Sequence, residues 1–113
     1  MIDRDILYLT HIMESIEAIT EYTSGGRDAF LHSRLIRDAV IRNFEIIGKA
    51  SVRLSDRITQ NSTIPWRRIK DFRNLLAHEY AGVNMGIVWD VIEKELPPLD
   101  AEVRTRLAAL NAL

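Results

Sequence analysis

Apolar residues recur at steps of three and four along most of this chain, a spacing that places them on one face of an α-helix. The first such stripe consists of Ile6, Leu9, Met13, Ile16 and Ile19. No segment alternates convincingly between apolar and polar residues, as a half-buried β-strand does. The pattern therefore predicts an all-α protein whose helices bury their apolar faces against one another.

Residues that start and stop helices divide this pattern into segments. The sequence predicts helices over residues 3–22 and 28–55, from Ile64 to Glu79, from Asn84 to Pro97, and from Asp100 onwards. A glycine pair separates the first two helices, residues 56–63 have no apolar period, and Pro97 and Pro98 are expected to end the fourth helix. We expect one domain over residues 1–113, folded as an up-and-down bundle of four to five helices.

Length and composition limit the classes of protein to which this chain can belong. A length of 113 residues and an apolar content of 47% fit one globular domain with a single core. The 15 Lys and Arg residues are balanced by 16 Asp and Glu residues, so any contact with nucleic acid must come from a local patch. The absence of cysteine excludes disulfides, thiolate zinc sites and cysteine nucleophiles. With neither a signal peptide nor an apolar run of about 18 residues, the chain is expected to be cytoplasmic.

Local charge departs from this balance in residues 66–80, where four basic side chains precede a histidine and a tyrosine. The basic residues are Arg67, Arg68, Lys70 and Arg73. Cleavage of RNA without a metal requires a base for the 2′-hydroxyl, an acid for the leaving oxygen and a cation for the phosphorane charge. An imidazole titrates near neutral pH, and a guanidinium can hold a phosphate with two donors. We therefore predict Arg73 and His78 as catalytic residues.

Helix geometry separates these two side chains within one chain. Arg73 and His78 are five residues apart, hence about 140° apart around an unbroken helix, whereas Arg73 and Tyr80 are nearly aligned. Three alternatives remain: a helix that loosens near Ala77, a broad phosphate-binding surface, or a second copy of the chain that supplies the missing group. We favour the second copy, because one histidine cannot easily act as both base and acid.

The predicted second helix carries further polar residues that bear on this motif. Asn43 falls inside the apolar stripe, whereas Arg42, Lys49 and Arg53 gather along one edge of it. A buried amide needs a hydrogen-bond partner, so Asn43 either bonds with residues 73–80 or has a structural role only. The three basic side chains of this edge, like that of Lys70, either contact RNA phosphates or are solvated and paired with carboxylates.

Two other groups of residues are assigned no role in the chemistry. His11 and His32 lack a comparable setting, and we interpret both as ordinary surface or partly buried residues outside the site. Trp66 and Trp89 are interpreted as core or dimer-interface aromatics rather than base-stacking platforms. The predicted site is thus confined to the second and third helices and the residues that follow.

The motif segment is similar to that of one known family. An arginine, four residues, a histidine, one residue and a tyrosine are typical of the HEPN superfamily, and here they are Arg73-Asn74-Leu75-Leu76-Ala77-His78-Glu79-Tyr80. Within that superfamily the chain resembles the HepT-like toxins, which pair with minimal nucleotidyltransferase antitoxins of the MntA type. Further agreement lies in residues 42–48, 64–66, 79–83 and 88–89, so the resemblance extends over nearly the whole chain.

The resemblance implies a toxin of a type VII toxin–antitoxin system that forms a homodimer and cuts RNA, with transfer RNA one candidate, leaving a cyclic phosphate. The Arg73 and His78 motifs of two subunits would surround one cleft, supported by Asn74, and no metal or cofactor is expected. The antitoxin would transfer AMP from ATP to Tyr80 and block the cleft with added bulk and negative charge. The alternative is a non-catalytic HEPN module that binds nucleotide or RNA and partners the nucleotidyltransferase.

Overall fold

The computed structural model describes residues 3–79 and 82–112, and in these residues it contains seven α-helices and no strand. The helices are α1 (Arg4–Tyr22), α2 (Arg27–His32), α3 (Arg34–Ser51), α4 (Asp56–Thr59), α5 (Trp66–Glu79), α6 (Met85–Lys94) and α7 (Leu96–Asn111). The predicted all-α class is confirmed. None of the described helices is both long and apolar enough to cross a membrane.

Helices α1 and α3 form the centre of the bundle. Helix α1 packs against α3 and α7, and α3 also packs against α5, while α6 lies against α7. The predicted apolar stripe of α1 faces this core, with Leu9 and Ile19 fully buried. Further fully buried side chains come from α1 to α3 and from α5 to α7; they are Ile12, Phe30, Val40, Ile47, Leu76, Val88 and Val103. Burial of each such side chain stabilises the fold by about 1.5–3 kcal/mol, which is why the periodic apolar faces determine how the helices assemble.

The predicted second helix is divided in two at Ser33. This residue has an extended backbone with φ −118° and ψ 111°, and its Oγ accepts a hydrogen bond from the Ile36 N–H at 3.2 Å, which caps α3. The Arg37 guanidinium donates to the Leu31 carbonyl at the end of α2 and joins the two helices across the break. The prediction of one continuous helix over residues 28–55 is therefore wrong, and α3 ends at Ser51.

The proline pair begins a helix instead of ending one. Helix α6 starts after the predicted cap Asn84, whose side chain accepts from the Gly86 N–H, and it ends at Lys94. Pro97 and Pro98 then lie in the first turn of α7, where a helix does not need the missing N–H. The predicted cap Asp100 lies inside α7 and accepts from Arg104 Nε at 3.0 Å.

A buried carboxylate joins the start of α1 to the short helix α4, which lies in a segment predicted to be irregular. The Asp5 side chain is 4% exposed and accepts from the Ser55 N–H at 2.8 Å, from Ser55 Oγ at 2.5 Å and from Arg57 Nε at 2.6 Å. Arg57 also binds Asp3, the N-cap of α1, at 2.8 Å. This network fixes α1 against the segment that follows α3, and both α1 and that segment line the candidate site.

Candidate active site

The candidate site is built around a close contact between α3 and α5 at Gly48. A Cβ on Gly48 would overlap the Cβ and Cγ of Arg73, so only glycine lets the two helices come this close. Phe44 and Phe72 meet edge to face beside this point, with ring centroids 5.2 Å apart. The base of the Arg73 side chain is therefore held against α3 by helix packing.

A cleft with a volume of about 490 Å³ opens beside this contact, between α1, α3 and α5. We call it the basic cleft, because four cationic side chains line it: Arg42, Lys49, Arg53 and Arg73. Apolar contacts come from Ile46, Ala50 and Ala77. The structure thus brings three of the predicted phosphate contacts together with the predicted catalytic arginine.

The electrostatics of the basic cleft favour an anion. Glu45 is the one carboxylate among the described lining residues, and it lies 3.7 Å from Arg42 in an exposed pair that contributes little to stability. Among the residues that the structure describes, no ion pair involves Lys49, Arg53 or Arg73. These three cations are therefore available to a ligand with several negative charges, such as a nucleic-acid backbone.

His78 lies elsewhere on α5. It is exposed in the last turn, and it does not line the basic cleft, although its neighbour Ala77 does. Helix α5 continues unbroken to Glu79, so the alternative of a helix that loosens near Ala77 is excluded. Within one chain the structure therefore separates His78 from the cleft that Arg73 lines.

The other predicted site residues lie at varied positions. Asn43 is half-buried, and its amide donates to the Ala39 carbonyl at 2.9 Å; a bond to residues 73–80 stays a prediction. Asn74 is half-buried, and Lys70 is exposed and does not line the cleft. Tyr80, the predicted modification site, lies outside the described residues.

Helix α1 contributes two residues to the site that the sequence did not lead us to expect there. Tyr8 and His11 line the basic cleft, and their rings meet edge to face with centroids 5.7 Å apart. His11 is exposed, as interpreted, but it lies in the lining of the cleft, where the sequence did not place it. His32 agrees with its interpretation, because it is exposed on α2 and its Nδ1 lies 2.8 Å from the Asp28 carbonyl oxygen. The spacing of Tyr8 and His11 marks one face of α1, but only packing brings that face to the basic residues.

A second concavity lies on the other side of α5. This apolar groove of about 760 Å³ is bordered by α3, α5, α6 and α7 and includes Leu75 and Ile87, which are 41% and 54% exposed. The tryptophans lie in the core or against it, as interpreted: Trp66 is buried, and Trp89 contacts Phe30 at a centroid distance of 5.7 Å. Among the described residues, no three His, Asp or Glu side chains are grouped so that they could hold a metal ion.

Comparison with known proteins places the chain among related sequences. Residues 12–106 match the family model described as "Ribonuclease HepT-like". The chain is 41% identical over 99 residues to a Methanocaldococcus jannaschii protein named "Gamma-glutamylcyclotransferase and putative RNase"; this alignment covers 86% of the chain and 45% of that protein. It is 36% identical over 94 residues to the "Probable ribonuclease HepT" of Thermococcus cleftensis, with 81% of the chain and 86% of that protein covered.

A third relative is the "Putative RNase" of Caldanaerobacter subterraneus, which is 36% identical over 99 residues, with 86% of the chain and 88% of that protein covered. The chain thus spans less than half of the Methanocaldococcus protein but most of the other two relatives. No solved structure gave a significant match.

Proposed function

Since this chain belongs to the HepT-like family, we propose that it is a metal-independent endoribonuclease and the toxin of a toxin–antitoxin pair. The observation that carries the proposal is the convergence of Arg73 with Arg42, Lys49 and Arg53 in one cleft. Four cations that face a common space suit an RNA strand, whose affinity for proteins comes largely from its phosphates. The names of the relatives as RNases point to the same substrate.

The proposed chemistry assigns one task to each group. The Arg73 guanidinium holds the scissile phosphate and stabilises the charge of the phosphorane, while Arg42, Lys49 and Arg53 hold the neighbouring phosphates. His78 transfers a proton, either from the attacking 2′-hydroxyl or to the leaving 5′-oxygen. The 2′-oxygen then bonds to phosphorus as the bond to the 5′-oxygen breaks, which leaves a 2′,3′-cyclic phosphate and a free 5′-hydroxyl.

A homodimer completes this site in the proposal. His78 is exposed and lies outside the cleft of its own chain, so a second copy is required to bring a His78 imidazole to the phosphate that Arg73 holds. The apolar groove beside α5 supports self-association, because Leu75 and Ile87 expose apolar surface there. A two-fold contact through this face would place the α5 helices of both chains, which contain the motif residues, at the interface, because α5 borders the groove.

Substitution of the two catalytic candidates tests the proposal. Arg73→Ala and His78→Ala should each reduce RNA cleavage at least about 100-fold, which is typical of removing one group that stabilises the transition state or transfers a proton. Cleavage of a labelled RNA by the purified variants measures this. The matched controls are Arg34→Ala and His32→Ala, since both residues are exposed and neither lines the cleft. Undiminished cleavage by both motif variants would show that the proposed chemistry is wrong.

We propose further that a nucleotidyltransferase antitoxin switches the toxin off at Tyr80. The tyrosine oxygen would attack the α-phosphate of ATP, and pyrophosphate would leave, so that AMP becomes bonded to the side chain. The negative charge of the added AMP would pair with the cationic side chains that otherwise hold RNA. Incubation with ATP and the cognate enzyme should add the mass of AMP to the peptide that contains Tyr80, and Tyr80→Phe should abolish the addition. Tyr22→Phe is the matched control.

A second function is favoured by one observation, the position of His78 outside the basic cleft. If the cleft holds phosphates and His78 takes no part, the chain is a nucleotide-binding or RNA-binding partner of the nucleotidyltransferase. On this alternative the wild-type protein binds RNA with no cleavage, and Arg73→Ala weakens binding whereas His78→Ala does not.

A further inference from the structure

The wall of the basic cleft that α1 provides differs in chemistry from the wall that α3 and α5 provide. Helix α1 contributes Tyr8 and His11, two aromatic rings in edge-to-face contact with centroids 5.7 Å apart. The Tyr8 side chain is half-buried and packs against the core, whereas His11 is exposed. The cleft therefore combines an aromatic wall with a cationic wall.

This combination matches the two parts of an unpaired nucleotide. Grooves that bind single-stranded nucleic acid follow the phosphates with basic side chains and hold the bases on aromatic ones. In a double helix the faces of the bases are stacked on one another and cannot contact an aromatic side chain. The cleft volume of about 490 Å³ also lies within the range of about 300–1,000 Å³ that is common for sites of small organic ligands.

We propose that Tyr8 and His11 contact the base of an unpaired nucleotide whose phosphate is held by Arg73 and its neighbouring cations. The inference rests on the proposed ribonuclease function and adds a determinant of binding that the motif does not contain. A phosphate on the cationic wall leaves the attached base free to lie against α1, because both walls line the same cleft. Tyr8 and His11 thus determine how strongly the strand is held, through the base that is attached to the bound phosphate.

Paired substitutions separate the contribution of the rings from that of packing and polar groups. Tyr8→Leu and His11→Leu remove a ring and keep apolar bulk, whereas Tyr8→Phe and His11→Phe keep an aromatic ring. The matched controls Tyr22→Leu and His32→Leu make the same chemical changes outside the cleft, at two exposed positions. Thermal unfolding of each variant shows whether it is folded under the conditions of the assay.

Binding is measured by fluorescence anisotropy with a labelled single-stranded 2′-O-methyl oligonucleotide, which has no free 2′-hydroxyl and so cannot be cleaved. Each Leu variant should bind about tenfold more weakly than the wild-type chain, which is the size of effect typical of one lost base–aromatic contact. The Phe variants and the two control variants should bind within about twofold of the wild type. An oligonucleotide with abasic sites should bind all variants equally, because it has no base to contact.

Two results would overturn the inference: wild-type affinity in both Leu variants, or Phe variants that bind as weakly as the Leu variants. The second result would mean that the hydroxyl and the imidazole nitrogens act, and not the rings. A cleavage assay on unmodified RNA distinguishes these failures from failure of the proposed function. A wild-type chain that binds through Tyr8 and His11 but cuts no RNA would contradict the nuclease proposal and leave the aromatic wall in place.

Discussion

At the scale of single residues, Gly48 is the position on which the geometry of the site depends most. Its missing side chain lets α5 lie close to α3, and the atoms that occupy the space are the Cβ and Cγ of Arg73. A Cβ at this position could be accommodated only if α5 moved, because the Cβ of Arg73 moves with its backbone. Gly48 is therefore in direct contact with the base of the Arg73 side chain, which lines the cleft.

The first prediction at this scale is that Gly48→Ala destabilises the fold and weakens RNA binding. Overpacking of this kind typically lowers the free energy of unfolding by about 1–3 kcal/mol. Urea unfolding and anisotropy with the uncleavable oligonucleotide measure the two effects. The matched control is Gly82→Ala, because a Cβ on Gly82 would meet no atom of the described residues within 4 Å.

The result that would contradict this prediction is a gain in stability. Alanine is favoured over glycine inside a helix by about 1 kcal/mol. A Gly48→Ala variant that gained this amount and bound RNA normally would show that the two helices tolerate a methyl group at their crossing.

At the scale of helices, the carboxylates at the start of α1 anchor the aromatic wall of the cleft. The hydrogen bond from Arg57 is the main reason that the pKa of Asp3 lies below its ordinary value of 3.8. Burial raises the pKa of Asp5, but the hydrogen bonds from Ser55 and Arg57 outweigh it and lower this pKa from 3.8 as well. Both carboxylates therefore favour the folded state when they are charged.

This linkage predicts that the protein loses stability in acid. Since the folded pKa values lie below those of the unfolded chain, the stabilisation is fully present above about pH 5 and is lost as the pH falls through the folded values. The melting temperature of the wild type should drop between pH 5 and pH 2, and that of Arg57→Ala should drop less. Arg67→Ala, which removes an exposed arginine outside the network, is the control. Equal acid sensitivity in all three proteins would mean that other carboxylates are responsible.

The break at Ser33 illustrates what local patterns convey about helices. The apolar period continues across residues 28–55, since helices that pack in one core keep their stripes facing it, so periodicity alone did not reveal the interruption. The serine that caps α3 was visible in the sequence, but serine also occurs inside helices. Its extended backbone and the bond from Arg37 to the Leu31 carbonyl distinguish the two cases.

At the scale of the whole molecule, the proposed function raises the question of whether two chains share one catalytic centre. Each chain has its own basic cleft, yet its His78 lies outside that cleft. A shared centre uses the motif residues of both subunits, and then one defective subunit inactivates the dimer. Separate centres leave each intact subunit active whatever its partner.

We predict that wild-type chains mixed with His78→Ala chains lose activity in proportion to the square of the wild-type fraction. After unfolding and refolding of an equal mixture, about one quarter of the dimers contain two intact subunits, since association is random. Cleavage should therefore fall to roughly a quarter of that of the all-wild-type sample, and light scattering should report a dimer throughout. A linear dependence, with about half of the activity at equal mixing, would contradict a shared centre. Mixing with His32→Ala chains is the control.

The sequence by itself determined what is local: the helical class, the approximate course of α1 and α5, the cap at Asn84, and the grouping of Arg42 and Lys49 along one edge of α3, whereas Arg53 lies in the turn after this helix. These features follow from the helical period of 3.6 residues and from hydrogen bonds between near neighbours, so a short window of residues contains the necessary information. Only the tertiary structure decided which helix faces meet. It placed Tyr8 and His11 in the lining of the basic cleft and packed the base of the Arg73 side chain against Gly48. His78 lies outside this cleft. These contacts join residues far apart in the chain, and they form because whole apolar faces are buried together, which no single segment of the sequence specifies.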